Sequence, residues 1–439
     1  MEPLNVFVLG LEEENVDTLL DVPYAAECRF HPLLGQEELL HGEIDIAALL
    51  DKAQRHLKGF DGNIDAIVGY WDFPVSIMVP ILTSRFGLRG PDLEAVVKCE
   101  HKYWSRLEQQ KVTDACPRFA LVDLDHAERC PEGMRYPMWL KPVKSVDSEL
   151  AFHVKDDAEF RDAVARIREG VDRMGKPFDH VLRTLDLPPE IAEAGGAACL
   201  AEEAMSGARA AVEGYVRDGD IKVYGILDSI TYPGESSFLR HQYPSQLPPG
   251  TQRRLEDLSQ RVIAQIGLND STFSIEYFCD PETGDVGLLE INPRHSQSHA
   301  RLFDQVDGMA NHHCMLSLAL GRDPSLPYRK GPYALAAKWY LRRFEDGVVR
   351  GRATEEEIAQ TEREIPGVNI HALVDVGQRL SEIPRAEDSY SHELAHISVA
   401  AGDETELREK YDRCVEALAF TFDDGDEDKA GRPTARQGG

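Results

Sequence analysis

Residues 273–294 read FSIEYFCDPETGDVGLLEINPR. Two runs rich in strand-forming residues, Phe273–Cys279 and Gly287–Asn292, flank the turn-forming Pro281-Glu282-Thr283-Gly284-Asp285. The stretch therefore predicts a β-hairpin with a loop of roughly five residues. Centred on Thr283, such a hairpin sets Glu276 opposite Glu290. Like charges facing each other across a strand pair repel, so the arrangement calls for a compensating cation. On the second strand Glu290, Asn292 and Arg294 recur with period two and share a face. Hard oxygen donors that keep open positions for phosphate oxygens suit Mg²⁺ rather than a soft metal. The guanidinium two residues on could hold a phosphoryl group bidentately. Taken alone, the pattern leaves a second reading open, an ordinary solvated hairpin face.

Working outward, the first hundred or so residues alternate short apolar runs (Asn5–Leu9, Ile64–Gly69) with helical stretches (Asp51–Leu57, Val75–Phe86), the βαβα rhythm of a small parallel sheet. A break at Gly90-Pro91 precedes a helix expected over Leu93–Gln110 that opens a second unit. There the chain predicts a strand at MWLKPV (138–143), a helix over Asp157–Glu169 and a Pro- and Gly-containing connection at 187–196. Strands over Cys199–Glu203, Ala211–Val216 and Lys222–Ile230 follow, then a helix over Thr251–Ile266 that leads into the hairpin. Past Arg322-Asp323-Pro324 come strands at Ala334–Leu341, Ile370–Val374 and His396–Ala400 and a helix over Glu404–Ala419. The expected class is α/β plus α+β, with domains at 1–97, 98–325 (smaller lobe about 138–205) and 326–422, and a disordered acidic tail at 423–439.

At 439 residues and 42% hydrophobic content the chain exceeds one compact core, and several domains are expected. Its formal net charge of −29 opposes nucleic acid and anionic membranes as partners, and an anionic nucleotide would need a locally basic pocket. No apolar run of about 18 residues occurs, and MEPLNVFVLGLEEEN enters a strand without a basic flank, so a cytoplasmic location is expected. The eight cysteines form no CxxC pair and predict reduced thiols rather than a zinc knuckle or disulfide framework.

The run LLEINPRHSQSHARLFDQVDG (288–308) resembles the metal-binding strand and following loop of ATP-grasp ligases, and three further stretches stand in the family's order. GLRGPDLEAVVKCEHKYWSRLEQ (87–109) resembles the lead-in whose lysine, here Lys102, touches nucleotide phosphates. YPMWLKPV (136–143) resembles the strand of the second phosphate lysine, Lys141, and CLAEEAMSG (199–207) resembles the hinge. The resemblance implies an ATP-grasp fold with a Rossmann-like N-terminal domain and a β-rich C-terminal domain. It implies an ADP-forming ligase that uses ATP with Mg²⁺ or Mn²⁺ to join a small carboxylate to an amine through an acyl phosphate. Amino-acid ligases that make dipeptides and biotin carboxylases are the similar branches; without a biotinylation motif, an amino acid is expected over bicarbonate. A homodimer is also implied.

By position in those motifs, Lys102 and Lys141 would meet phosphates and Ser145 and Ser148 of the flap would close over them. Glu202, with the backbone of Glu203, Ala204 and Met205, would meet adenine. Strand alternation puts Glu213 on one side with Ala211 and Tyr215, which leaves two readings, a place in the same cofactor site or a plain surface position. Glu276, Glu290 and Asn292 would be the metal ligands, and Arg294 and Arg301 the catalytic cations, Arg301 for a tetrahedral oxyanion. His241, His295 and His299 would line the substrate pocket. Two departures stand out: the flap KSVDSELAF (144–152) has no glycine, and Arg209 stands where many members place a ribose-binding acid.

One motif points elsewhere. His392-Glu393-Leu394-Ala395-His396 fits the HExxH pattern of zinc peptidases, which requires a helix so that both histidines share a face. The following Ile397-Ser398-Val399 is β-like, and on a strand the two histidines would stand about 13 Å apart, too far to share one zinc.

Overall fold

The computed structural model describes residues 2–423 apart from 12, 41, 147–148, 281 and 384–390, with backbone alone at 13–15. The expected tail, from 424 on, lies outside the described residues. The chain forms two compact units: residues 1–227, 245–300 and 309–327 make the first, and 228–244, 301–308 and 328–439 the second.

The first unit begins with a parallel sheet ordered Cys28–Leu33, Leu4–Leu9, Ala66–Gly69. The strand Cys28–Leu33 escapes the sequence reading because it is an edge strand with a single fully buried residue, Leu33, and a proline. Helices Ile46–Lys58 and Val75–Phe86 follow their expected positions. Asp45 caps the first by accepting from the Ala48 N–H at 3.0 Å. Gly69 lets the second close on its strand: a Cβ there would stand 2.4 Å from Val75 Cγ1.

A four-stranded antiparallel sheet follows, ordered Phe119–Val122, Cys199–Glu203, Met138–Pro142, Phe152–Val154. Met138, Leu140 and Val154 point into one core with Phe160, Val164 and Ile167 of helix Asp157–Gly170. The alternation puts Trp139 and Lys141 on the opposite face. The hairpin itself forms between Ser271–Cys279 and Val286–Asn292, and its register pairs Glu276 with Glu290 as centring on Thr283 predicts. Strand Ala208–Arg217 lies antiparallel on the other side of Ser271–Cys279, and Asp220–Thr231 comes next in order.

Two local differences matter for the site. The helix expected over Leu93–Gln110 is two helices, Leu93–Glu100 and Lys102–Gln110. His101 between them is extended, and its side chain caps the second by accepting from the Trp104 N–H at 3.2 Å. The connection at 187–196 contains a short helix, Pro189–Ala194, with proline in its first turn, where a missing N–H costs nothing.

In the second unit the end of Asp220–Thr231 is followed in order by Phe238–Tyr243, Leu335–Arg343, His392–Ala401 and Val368–Ala372. Helix Glu404–Leu418 covers this sheet, with Tyr411 stacked on Trp339 at 4.5 Å between ring centroids. His392–His396 is therefore strand, and the zinc-peptidase reading fails on geometry. Glu393 pairs with Arg342 and His396. Among the described residues no group of three or more His, Cys, Asp or Glu is placed to hold a metal ion, and no helix is long and apolar enough to cross a membrane.

Candidate active site

The break at His101 makes Lys102 the first residue of its helix, where a cation faces the positive end of the helix dipole and needs an anion nearby. Glu290 supplies it, with Oε1 2.9 Å from Lys102 Nζ. The same ammonium donates to the Ser145 carbonyl at 2.9 Å, and the Lys102 N–H donates to the Val143 carbonyl at 2.8 Å. Lys102 thus ties the segment after Lys141 to the hairpin strand.

Lys141 sits diagonally from Glu202 on the face of the four-stranded sheet that does not enter the core. In the register, Lys141 opposes Leu200 and Trp139 opposes Glu202. Their charged atoms approach to 2.6 Å. The second oxygen of Glu202 accepts from Arg106 Nε at 2.7 Å. Arg106 lies one turn along the helix from Lys102 and its guanidinium is fully enclosed. It donates to the carbonyls of Leu288 (3.0 Å) and Leu289 (2.6 Å), immediately ahead of Glu290, and to Gln109. Burial opposes ionisation of Glu202, but Arg106 and Lys141 outweigh it and bring the carboxyl down to about 2. Burial lowers the Lys141 ammonium, only partly offset by Glu202. Glu290 is likewise held below the usual carboxylate range, because Lys102 and Lys141 overcome its partial desolvation.

Arg294 leaves the hairpin strand and forks onto Asp72, Nε to Oδ1 at 2.9 Å and Nη2 to Oδ2 at 2.6 Å. Partial desolvation opposes ionisation of Asp72, but Arg294 and then Lys144 and Lys102 hold its carboxyl low. Lys144 is itself paired with Glu100 and lies over the rings of Phe73 and Phe178. Glu276 meets Arg209, 3.3 Å from Nη2 to Oε2, so the departure at 209 has a local reason: it neutralises one of the paired carboxylates.

The structure thus brings Lys102, Lys141, Ser145, Glu276, Glu290, Asn292 and Arg294 into the first unit, with Asn292 half-buried opposite Ser274. Ser148 lies outside the described residues. Met205 reaches back toward the hairpin, where Gly287 makes room: a Cβ there would lie 2.5 Å from the Met205 sulfur. Glu203 and Ala204 are in place beside it, and the Glu203 N–H is already donated to the Arg118 carbonyl.

Four assignments need correction. Both oxygens of Glu202 are engaged by Arg106 and Lys141 in a closed environment, so it holds the lysine and does not face adenine. Glu213 is 0% exposed and bound by Tyr224, His299, Asn311 and the Ser296 N–H, and so is sealed away from any nucleotide. His295, in contact with Thr272 and His312, is also fully enclosed rather than pocket-lining. His299 is spent on Glu213. Arg301 and His241 belong to the second unit, where His241 Nδ1 meets Ser229 Oγ at 2.9 Å.

Arg106, Asp72, Glu100 and Lys144 were missed. A signal for Arg106 existed: Lys102 and Arg106 are like charges four apart on one helix, unfavourable unless acids meet both. Asp72 carried none, since its partner is 222 residues away.

Glu276, Glu290 and Asn292 supply hard oxygen donors, the type that a divalent cation takes together with water and phosphate ligands. Two carboxylates paired across the hairpin, each 32–35% exposed at the side chain and each balanced by a cation, form a donor set that Mg²⁺ could enter.

Residues 134–300 match the family model of the ATP-grasp domain. No curated protein matches the chain. The fold is similar to an L-amino acid ligase from Bacillus licheniformis, with 14% identity, TM-score 0.71, and coverage of 96% of this chain and 100% of that one. A biotin carboxylase from Campylobacter jejuni, in a beta-gamma-ATP complex, aligns at 14% identity and TM-score 0.64, covering 96% and 92%. The biotin carboxylase domain of the Hydrogenobacter thermophilus 2-oxoglutarate carboxylase, bound to MgADP and bicarbonate, aligns at 14% and 0.63, covering 96% and 91%. At these identities the likeness shows the fold, which is the ATP-grasp fold.

Proposed function

We propose, from the ATP-grasp domain at residues 134–300, that this chain is an ADP-forming ligase that activates a small carboxylate with ATP and joins it to an amine. The observation that carries this reading is the convergence of Lys102 and Lys141, from two separate segments, on Glu290, whose strand also carries Asn292 and leads to Arg294. Cations fixed around a pair of metal-type oxygens are what phosphoryl transfer asks of a protein, since its work is positioning and charge stabilisation.

In this reading Lys102 and Lys141 meet nucleotide phosphates, with Arg106 and Glu202 keeping Lys141 in place. Arg294 faces the carboxylate and the oxygens that build charge as the amine attacks. Glu276, Glu290 and Asn292 would hold Mg²⁺, which when bound offsets phosphate charge. The solved ligase of similar fold acts on amino acids, which favours an amino acid over the bicarbonate seen in the carboxylase domain.

The test is product analysis with purified protein, ATP and Mg²⁺ against pairs of the common amino acids. ADP and phosphate should appear together only when a carboxylate and an amine are both present. Release that needs bicarbonate alone would move the chain to the carboxylase reading. AMP with pyrophosphate would overturn the proposal.

A further inference from the structure

We propose that Asp72 is a specificity-determining residue that reads the α-ammonium of the donor, so that the Asp72–Arg294 pair receives a zwitterionic amino acid and not a bare carboxylate. This rests on the ligase reading above. Strand Ala66–Gly69 ends at the carboxyl edge of the parallel sheet, and Tyr70-Trp71-Asp72 leads from it into helix Val75–Phe86. Ligand crevices of open α/β sheets lie outside these strand ends. The position is firmly built. The Asp72 carbonyl accepts from the N–H groups of Val75 (2.9 Å) and Ser76 (3.3 Å), and Trp71 beside it is pinned through Nε1 to the Gly10 carbonyl at 2.8 Å. The side chain nonetheless stays accessible, 30% exposed, with its Arg294 partner at 15%.

The distribution of charge gives the argument its force. Each neighbouring cation of the site already has a carboxylate of its own: Lys102 has Glu290, Lys141 and Arg106 share Glu202, Lys144 has Glu100, and Arg209 has Glu276. In the ligase reading the donor carboxylate meets Arg294, and there it shares the guanidinium with Asp72. Two carboxylates on one guanidinium leave a negative charge uncompensated, and like charges at such range are costly. An α-amino acid removes the conflict, because its ammonium, one carbon from its carboxylate, brings to Asp72 the positive charge that Arg294 gives up. The two ion pairs then form one alternating quartet. Bicarbonate and simple acids have no such group.

The experiment measures phosphate release for the amino acid that supports turnover and for its desamino and 2-hydroxy counterparts, with the acceptor amine held constant. Wild type should prefer the amino acid by at least about 100-fold in kcat/KM, as a site built to pair a charged group of its substrate rejects analogues lacking that group. Asp72→Asn should shrink that ratio at least about tenfold, mainly through the KM of the amino acid, and Asp72→Glu should restore part of it. A merely structural role would change kcat for all donors alike and leave the ratio intact. A wild-type ratio near one, or a ratio unmoved in Asp72→Asn, overturns the assignment; the first outcome needs no variant and stands even if the substitution prevents folding. Absence of any carboxylate-dependent ADP release overturns the ligase reading and this inference together.

Discussion

Lys141–Glu202 and Lys102–Glu290 are two lysine–glutamate pairs of nearly equal length, 2.6 and 2.9 Å, yet they do different things. The Glu202 side chain is 4% exposed and shared with Arg106, whereas that of Glu290 is 35% exposed on a strand that also carries Asn292 and leads to Arg294. The first is a closed clamp that orients a lysine. The second, in the proposed reading, gives up its lysine to a metal cation. Burial, not residue type, separates the structural carboxylate from the one available for chemistry.

Breaking the clamp should have the largest effect. Glu202→Ala leaves two cations enclosed without their anion and should cost about 3–5 kcal/mol of stability by denaturant unfolding. A loss below about 1 kcal/mol would equate the two pairs and remove the distinction.

The open pair should fail in the opposite way. Glu290→Gln is expected to slow phosphate release on the order of 10²–10³-fold, the scale for losing one transition-state charge contact. Its unfolding midpoint should stay near wild type, because no core packing is lost. Unchanged turnover would reject the metal assignment.

A third measurement uses proton linkage. Burial lowers the Lys141 ammonium in the free protein, and phosphate would raise it again, so the complex binds more protons in the window between the two values. Nucleotide binding should therefore take up protons at alkaline pH and weaken as pH rises through that window, read by calorimetry in buffers of different ionisation enthalpy. Glu202 gives the acid counterpart. With its carboxyl at about 2, below the ordinary carboxylate near 4.3, its contribution to stability is present above the unfolded value and is lost as pH falls toward 2. Glu202→Gln should flatten this acid limb.

The smallest effect is expected at Arg209→Ala. Its 3.3 Å contact with a Glu276 that is 32% exposed should contribute no more than about 1 kcal/mol. A larger loss would show that the hairpin carboxylates need their cations to fold, and would bring the open pair closer to the clamp.

How much of this was legible in the chain varies by residue. The pairing of Glu276 with Glu290 could be read directly, because a two-strand register follows from the turn between them and the pairing stays local. Lys141 announced itself as a cation in an apolar strand. The split at His101 was hidden, since the periodicity of Leu93–Gln110 runs through it and the cap is a histidine. Glu213 could not be placed: strand alternation fixes its face but not what covers that face, and the covering residues, His299 and Asn311, come from 86 and 98 positions away.

By itself, then, the sequence determined the quantities that depend on near neighbours: the hairpin and its facing carboxylates, and the period-two face of Glu290, Asn292 and Arg294. Only the tertiary structure decided which charges are spent. Whether Glu202 meets a ligand or Arg106, and whether Arg294 stands alone or against Asp72, depends on segments brought together from 96 and 222 residues apart. No local propensity encodes those encounters; they are set by packing, because an enclosed charge must find an opposite one wherever along the chain it lies.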